Sequence, residues 1–409
     1  MNKNCIVAQS GGPTAAINAS LAGVVAKVIE SNNFEKIYGA IHGIQGVLRK
    51  NFMDLSDLTD DFIERLAITP AMYLGSCRFK LPYYKADENT YKQIFETFEE
   101  YNVGAFFYIG GNDSMDTVAK LSEYAKSIGS DVKIAGIPKT IDNDLLVTDH
   151  TPGFGSAAKY IASTVREIAY DTYIYDVKSV TIVEIMGRDA GWLTASSVLA
   201  RNGFSDAPHL IYLPEVPFDK EKFIEDIENQ FKRHKNIIVA VSEGIRDAGG
   251  NYISATTAAA DKFGHAQLSG AGKALEYLVK ERLGVKVRSI EVNVLQRAAG
   301  HMASKTDLEE SMALGKAAVE YAQNGETGFM TVIKRVSNTP YTYEIGFEPV
   351  VGIANEAKSV PVEWINDEHN DVNEKFIEYV KPLVEGEIDA FYSDGIIDYV
   401  PVPHLIMGN

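Results

Sequence analysis

The sequence predicts an α/β protein with two domains built on mostly parallel sheets. Short apolar runs alternate with helical patterns along most of the 409 residues, and this alternation is typical of parallel sheets. Three of the apolar runs end in loops rich in glycine and polar residues. The composition is that of a globular chain, 45% hydrophobic and 23% charged, and it is long enough for two or three full cores.

The elements can be predicted in chain order from these patterns. In the first part they are a strand over 4–9, a helix ending near residue 30, a strand from 37 into a glycine-punctuated loop reaching 46, a helix over 93–101, a strand over 104–110 and a strand end over 134–138. In the second part they are a helix over 156–170, strands over 179–185 and 209–213, a helix over 221–234, a strand over 236–241, an irregular stretch over 247–272, a helix over 272–283 and a strand over 286–295. From residue 366 onward the chain has helical and loop character without a recognisable motif.

The net charge, the cysteine count and the absence of long apolar runs exclude several classes of function. The net charge is −17, which argues against a nucleic-acid or anionic-membrane partner. Two cysteines, Cys5 and Cys77, predict a reducing compartment and no disulfide framework. The N-terminus lacks the pattern of a signal peptide, and no apolar run reaches the ~18 residues of a membrane span. We therefore expect a soluble, cytoplasmic protein.

The loop after residue 137 carries the strongest chemical signal. It reads Pro138-Lys-Thr-Ile-Asp-Asn-Asp144 and so places one cation beside two carboxylates at a strand end, where open α/β sheets bind their ligands. This combination suits phosphate chemistry: lysine neutralises oxyanions, one aspartate acts as base and another orients groups or metal. Taken alone, the loop is equally compatible with a solvated turn.

Two further loops have the same position at a strand–helix junction. Gly11-Gly12 follows the first strand, and Gly110-Gly111 is followed by the polar pair Asn112-Asp113. Such turns expose backbone N–H groups that bind anions. Three junctions of one type should meet along one edge of a parallel sheet. Arg78, after a turn of small residues, could also reach a phosphate, although an arginine in a loop is more often solvated.

Taken together, these loops resemble the phosphofructokinase family. The motifs follow the family's order and are Ser10-Gly-Gly12, Leu74-Gly-Ser-Cys-Arg78, Gly110-Gly-Asn-Asp-Ser114, Pro138-Lys-Thr-Ile-Asp-Asn-Asp144, Met186-Gly-Arg188, Ser242-Glu-Gly244 and Gln296-Arg297. The resemblance implies two Rossmann-like three-layer domains with mostly parallel sheets and the active site in the cleft between them. It assigns the phosphoryl-donor domain to residues 1–150 plus about 296–345 and the sugar-phosphate domain to 151–295. Residues 346–409 form a C-terminal extension to which it assigns no role.

Two positions distinguish the phosphoryl donors within this family. ATP-dependent members have glycine where this chain has Asp113 and Lys139, and pyrophosphate-dependent members have this pair. Asp113 would repel the α-phosphate of a nucleotide. Lys139 would stabilise charge on the transferring phosphoryl group, and Gly11 and Gly12 would offer N–H groups to the donor. The resemblance thus implies pyrophosphate as donor.

The implied reaction is reversible phosphoryl transfer from pyrophosphate to the 1-hydroxyl of fructose 6-phosphate with Mg²⁺, giving fructose 1,6-bisphosphate and phosphate. Asp142 would be the base that accepts the hydroxyl proton, and Asp144 would orient groups or metal. The residues implied in substrate binding are Gly11, Gly12, Arg78, Thr140, Ile141, Asp142, Asp144, Lys178, Met186, Gly187, Arg188, Glu243, Arg288 and Arg297.

The chain also departs from the family's pattern. Asn112 stands where the family has a metal-binding aspartate, so magnesium would be held through water or with help from Asp113. The arginine that bacterial ATP enzymes insert into a neighbouring subunit falls at Ser179, with Lys178 as a substitute, and a homo-oligomer, dimer or tetramer, is implied. Ala22 and Ala26 replace the effector-site arginines, which predicts a non-allosteric enzyme.

Two alternative functions remain open from the sequence. One is an ATP-dependent kinase of the same family, or another kinase with a Gly-Gly-Asp loop such as the NAD kinases. The other is a catalytically silent subunit that only binds a sugar phosphate. Lys139 and the intact set Arg188, Glu243 and Arg297 oppose the first alternative. The presence of both Asp142 and Lys139 opposes the second.

Overall fold

The computed structural model of the chain describes residues 3–77, 79–253, 270–353 and 357–403. The strands in chain order are β1 (Lys3–Gln9), β2 (Phe34–Ala40), β3 (Phe52–Asp54), β4 (Val103–Gly110), β5 (Lys133–Pro138), β6 (Ser179–Ile185), β7 (Leu210–Tyr212), β8 (Asn236–Ser242), β9 (Lys286–Glu291), β10 (Phe329–Asn338), β11 (Tyr341–Pro349), β12 (Tyr392–Ser393) and β13 (Ile396–Ile397). The α-helices are α1 (Ile17–Ser31), α2 (Gly43–Leu48), α3 (Asp60–Ile68), α4 (Glu88–Glu100), α5 (Asn112–Ile128), α6 (Phe154–Tyr173), α7 (Trp192–Ser196), α8 (Lys220–Gln230), α9 (Ala271–Leu283), α10 (Leu295–Ala298), α11 (Lys305–Gln323) and α12 (Glu374–Val380).

The larger sheet has the order β11-β10-β5-β4-β1-β2-β3. Its centre is parallel, from β10 through β5, β4 and β1 to β2. The two edge strands, β3 and β11, run antiparallel to their neighbours. The carboxyl ends of β1, β4 and β5 therefore lie side by side, and the prediction that their three polar loops share one edge is confirmed.

Helices cover both faces of this sheet because successive strand residues point to opposite sides. In β1, Cys5 and Val7 belong to one core with α1, α3 and α11. Ile6 and Ala8 belong to the opposite core with α4 and α5. Burial on both faces explains why the central strands are continuous apolar runs in the sequence. Among the described residues, both cysteines are free and buried.

The smaller sheet has the order β7-β8-β6-β9 and is parallel throughout. One face packs against α6, α7 and α12, through residues such as Val183 and Phe376. The other face packs against α8 and α9, through residues such as Ile182 and Leu275. The α/β prediction with mostly parallel sheets is thus confirmed.

Residues 357–403, which we call the C-terminal segment, pack partly against one face of the second sheet. Val360, Phe376 and Leu383 are buried in the same core as α6 and α7. Near its end, Asp398 accepts a hydrogen bond from Arg65 Nη2 at 2.5 Å. The segment therefore contacts elements of both sheets.

Three predicted elements differ from the structure. The glycine-punctuated loop reaching residue 46 contains α2, and Gly46 must be glycine there because a Cβ would lie 2.2 Å from the Ile41 carbonyl oxygen. The strand predicted over 286–295 ends at Glu291, since Asn293 adopts φ 48° and cannot extend a strand. The helix predicted from residue 93 begins at Glu88, because Asp87 caps it by accepting a hydrogen bond from Thr90 N.

The irregular stretch predicted over 247–272 lies partly outside the described residues, which resume at 270. None of the helices in the described part of the chain combines the length and the apolar character that a membrane crossing demands.

Candidate active site

A cavity of about 920 Å³ lies where the carboxyl ends of the two sheets face each other. The first sheet contributes the loops after β1, β4 and β5, and the second contributes the loops after β6 and β8 together with α10. The predicted site residues that line the cavity are Gly11, Gly12, Asn112, Asp113, Lys139, Thr140, Ile141, Asp142, Asp144, Met186, Arg188, Glu243 and Arg297. Most of the predicted site is thus gathered in one place.

The Gly11-Gly12 turn presents loop backbone to the cavity. Helix α1 begins only at Ile17, so the glycine turn lies in the loop before the helix and not at its N-terminus. Gly11 has φ 83°, a conformation that favours glycine. The Lys139 Nζ lies so close that a Cβ on residue 11 would come within 2.7 Å of it. Glycine is therefore favoured here by the backbone conformation, and a larger residue would also displace the neighbouring cation.

Polar side chains, two of them buried amides, hold this turn in position. Gln9 Nε2 donates to Asn18 Oδ1 at 2.9 Å, and Gln9 Oε1 accepts from Leu74 N at 2.9 Å. Ser76 Oγ donates to the Gly11 carbonyl at 2.8 Å. These bonds connect the end of β1 to the loop after Thr69 and leave the turn little freedom.

Helix α5 begins at the cavity wall. Asn112 and Asp113 lie in its first turn, where the helix dipole favours negative charge. The turn is linked to the first loop by a hydrogen bond of 2.5 Å between Ser114 Oγ and Ser10 Oγ. Asp113 therefore places a carboxylate in the first turn of α5, at the wall of the cavity.

Lys139 is a buried cation. Its backbone N–H donates to the Gly110 carbonyl at 3.0 Å, which fixes the residue between the two glycine loops. Burial lowers the pKa of Lys139 to about 8, although the nearby carboxylates of Asp142 and Asp144 act in the opposite direction. The side chain is still mostly protonated at neutral pH.

Two carboxylates stand beside this cation. Burial raises the pKa of Asp142, an effect that Lys139 opposes. Burial also raises the pKa of Asp144 to about 6, and the charge of Asp142 contributes. The Thr140 Oγ1 accepts from Asp142 N at 3.1 Å and lies 3.4 Å from Asp142 Oδ2. Asn112 Nδ2 donates to Asp144 Oδ2 at 3.3 Å.

The second sheet supplies the opposite wall. Gly187 N lies 3.5 Å from Glu243 Oε1, and burial raises the pKa of Glu243 to about 7. Met186 N donates to Gln296 Oε1 at 3.2 Å. These bonds connect the loop after β6 to the loop after β8 and to α10, which carries Arg297.

Three buried polar atoms of the site lack a hydrogen-bond partner among the described residues. They are the Nε atoms of Arg188 and Arg297 and the Oδ1 atom of Asn112. Buried polar atoms are nearly always paired in folded proteins, so unpaired ones at a cavity indicate groups that a ligand completes. Two guanidinium donors suit an anion, and an amide oxygen suits a cation.

Gly187 is not among the lining residues, although both of its neighbours are, and two predicted side chains lie elsewhere. Arg288 Nη2 donates to Asp171 Oδ2 at 2.7 Å and to Thr172 Oγ1 at 3.0 Å, and Lys178 Nζ lies 5.1 Å from the centre of the Phe231 ring. Within one chain, neither side chain lines the cavity. Arg78 lies outside the described residues.

The sequence did not reveal the residues that support the site. Gln9, Asn18 and Gln296 are fully buried amides. The only available signal was a polar residue at the end of an apolar strand, and for Gln9 that signal was present. Asn18, which sits in an apolar helix, and Gln296 could not be identified without knowing what faces them.

Comparisons with known proteins agree with this geometry. A family model described as phosphofructokinase matches residues 4–322. A pyrophosphate–fructose 6-phosphate 1-phosphotransferase of Xanthomonas campestris is 43% identical over 99% of this chain and 97% of its own length. One from Methylococcus capsulatus is 39% identical over 97% and 95%. The crystal structure of a pyrophosphate-dependent phosphofructokinase from Nitrosospira multiformis superposes with a TM-score of 0.89 at 38% identity, over 98% and 96% of the two chains.

Proposed function

The chain belongs to the phosphofructokinase family, and from this premise we propose that it transfers a phosphoryl group reversibly from pyrophosphate to fructose 6-phosphate. The products are fructose 1,6-bisphosphate and phosphate. The observation that carries the choice of donor is the pairing of buried Lys139 with Gly11, next to Asp113 in the first turn of α5. The names of the most similar relatives support the same donor.

Pyrophosphate binds at the two glycine loops in this proposal. Backbone N–H groups of Gly11 and Gly12 donate to its oxygens, and Lys139 stabilises the charge that develops as the bridging P–O bond breaks. Asp113 disfavours a nucleotide, because an α-phosphate beside its carboxylate would be repelled. The donor site therefore combines attraction for the small anion with exclusion of ATP.

Asp142 is the general base. It accepts the proton of the sugar 1-hydroxyl while that oxygen forms a bond to phosphorus and phosphate leaves. Burial raises the pKa of Asp142, which brings the carboxylate nearer to the working pH and makes it a stronger proton acceptor. Thr140, 3.4 Å from the carboxylate, helps to orient it.

The sugar phosphate binds against the side of the cavity that the second sheet forms. Arg188 and Arg297 donate to its 6-phosphate, and Glu243 accepts from sugar hydroxyls. Backbone of Met186 and Gly187, along with Ile141, completes the subsite. The unpaired Nε atoms of both arginines support this assignment.

Mg²⁺ is the proposed cofactor, and the donor set fits it. No group of three His, Cys, Asp or Glu side chains in the described ranges forms a metal site, but magnesium usually relies on one or two carboxylates plus substrate phosphates. Asp144 and the unpaired Oδ1 of Asn112 would hold it, with Asp113 nearby. When bound, the metal neutralises charge on the pyrophosphate oxygens.

The domain roles follow from this assignment. We assign donor binding to residues 1–150 plus about 296–345 and sugar-phosphate binding to 151–295, with 346–409 as the C-terminal extension. Lys178 and Arg288 would serve a neighbouring subunit's sugar site in a homo-oligomer, since both are away from the cavity of their own chain. The enzyme would work in the cytoplasm and without allosteric effectors.

The test is phosphorylation of fructose 6-phosphate with magnesium and either donor. We expect kcat/KM with pyrophosphate to exceed that with ATP at least ~100-fold, which corresponds to about 2.7 kcal/mol in transition-state binding. We also expect reverse turnover from fructose 1,6-bisphosphate and phosphate. Equal rates with both donors would favour the ATP-dependent alternative, and no turnover with either would favour a silent subunit.

A further inference from the structure

The C-terminal segment reaches the backbone that carries the two active-site carboxylates. Asn143 lies between Asp142 and Asp144 and is fully buried. Its Nδ2 donates to the Tyr379 hydroxyl at 2.8 Å. The backbone N–H of Lys358 donates to the Asp144 carbonyl at 2.8 Å. Two residues distant in sequence thus form hydrogen bonds to this loop.

The same two side chains also fix the turn that follows. The Tyr379 hydroxyl donates to the Asp149 carbonyl at 2.8 Å. The Lys358 Nζ donates to that carbonyl at 2.7 Å and to the Thr148 carbonyl at 3.2 Å. Both anchors therefore bind the start and the end of one loop.

The loop requires such support because its backbone is strained. Asn143 has φ 52° and Val147 has φ 63°, and positive values are unfavourable for a β-branched residue. Conformations of this kind persist where the surrounding structure determines them. Without the anchors, the loop could relax and displace the carboxylates.

The anchors themselves are rigidly packed. The Trp192 Nε1 donates to the Lys358 carbonyl at 2.8 Å. The ring of Tyr379 packs against Trp192 and Trp364, with centroid distances of 5.2 and 5.4 Å. This aromatic group belongs to the core of the second sheet. The anchors therefore connect the loop to that core. The family model ends at residue 322 and does not include either anchor.

We propose that Tyr379 and Lys358 are positioning residues for phosphoryl transfer, which hold Asn143 so that the carboxylates of Asp142 and Asp144 meet the substrates correctly. The inference rests on the proposed function. A general base must lie within hydrogen-bond reach of its proton, and a displacement of about 1 Å can lower the rate roughly 10²-fold. Because neither anchor is assigned to touch a substrate, their loss lowers kcat rather than substrate affinity.

Two variants test the anchors separately. Tyr379→Phe removes one hydroxyl and keeps the ring, and Lys358→Met removes the ammonium group and keeps the chain length. The matched controls are Tyr392→Phe and Lys375→Met, since both residues belong to the same segment and are exposed. For each protein, kcat and the KM values for both substrates are measured. Equilibrium binding of fructose 6-phosphate gives its dissociation constant and the number of intact binding sites, by which kcat is divided.

We expect kcat per binding site to fall at least ~10-fold in each anchor variant, with the dissociation constant for fructose 6-phosphate changed less than ~3-fold and the controls unchanged. In an Asp142→Asn background, Tyr379→Phe should lower kcat by a smaller factor than in the unsubstituted protein, because the part of its effect that acts through Asp142 is already lost. If Tyr379 contributed only to stability, the substitution would lower kcat by the same factor with and without Asp142.

The inference is overturned if Tyr379→Phe retains kcat per site within about twofold of the unsubstituted protein, or if it loses the same factor in the Asp142→Asn background. Should Lys358→Met fail to fold, Tyr379→Phe decides alone. A lack of pyrophosphate-dependent turnover in the unsubstituted protein would instead overturn the proposed function and this inference with it.

Discussion

The Lys139 Nζ lies directly against Gly11, so that a Cβ on residue 11 would come within 2.7 Å of the nitrogen. The two residues are 128 positions apart and follow different strands, β5 and β1. Their contact brings the Lys139 cation to the glycine turn. Because the Nζ atom is the end of a flexible side chain that also lines the cavity, an added Cβ would displace it.

The first prediction concerns this contact. Gly11→Ala should displace the Lys139 ammonium group and strain the backbone at φ 83°. We expect kcat/KM for pyrophosphate to fall ~10- to 100-fold, which corresponds to roughly 1.4–2.7 kcal/mol. The KM for fructose 6-phosphate should change much less. Steady-state kinetics with each substrate varied in turn gives both values.

The control is Gly284→Ala. Gly284 has φ 63°, and a Cβ there would meet no described atom within 4 Å. Both substitutions impose a similar backbone penalty, but only one touches the lysine. An equal effect of the two on pyrophosphate kinetics would show that strain, and not the displaced cation, is responsible.

The second prediction concerns Asp142, the proposed general base. Asp142→Asn keeps the shape of the side chain but removes the proton acceptor, so kcat should fall by roughly 10²–10⁴. The KM values should change much less. Asp131→Asn, at an exposed aspartate, should have no effect. A variant that keeps more than about a tenth of the original kcat would mean that another group accepts the proton.

Many of the residues that line the cavity could be predicted because they depend on short, local patterns. Gly11, Asp113 and Lys139 each follow an apolar strand, and the geometry of a parallel sheet brings such strand ends together. The chemistry of each loop could therefore be combined before the fold was known. The strand–helix order was predictable for the same reason.

The anchors could not be predicted in this way. Tyr379 lies 236 residues and Lys358 lies 215 residues from Asn143 in the sequence. A tyrosine in a short amphipathic helix has the pattern of an ordinary core residue, and nothing local identifies the amide that its hydroxyl binds. Such partners are determined by tertiary packing alone.

The third prediction concerns the pH dependence of stability. His150 is buried between Asp149 and Glu310, with N–O distances of 2.7 and 2.6 Å. Burial alone would disfavour its charge, but Glu310 and Asp149 outweigh burial and raise the pKa of His150 to about 9. Because the folded pKa is above the ordinary value, the stabilisation is fully present below about pH 6.5. It is lost as the pH rises toward 9.

We expect the free energy of unfolding to fall by on the order of 3 kcal/mol more in the unsubstituted protein than in His150→Gln between pH 6.5 and 9.5. Urea unfolding at the two pH values measures this difference. The comparison between proteins is needed because burial lowers the pKa values of Lys139 and Lys358 to about 8, and these groups change stability in the opposite direction. Equal pH dependence in both proteins would contradict the assignment.

The last prediction concerns the two neighbouring residues at the start of α5. If Asp113 only excludes nucleotides, Asp113→Gly should admit ATP and keep most of the activity with pyrophosphate. If Asp113 also helps to hold magnesium, the same variant should lose pyrophosphate activity and require more magnesium. An amide oxygen is a weaker ligand than a carboxylate for a hard cation, and Asn112 offers only its unpaired Oδ1. We therefore expect the second result.

Asn112→Asp provides the complementary measurement. It places a carboxylate where the amide lies 3.3 Å from Asp144, so it should lower the magnesium concentration that gives half-maximal rate. Combined with Asp113→Gly, it should restore part of the lost pyrophosphate activity, because a charge returns to the same helix turn. If magnesium dependence is unchanged in both single variants, the metal must be held by pyrophosphate and Asp144 without either residue. Asp113 would then act on the choice of donor alone.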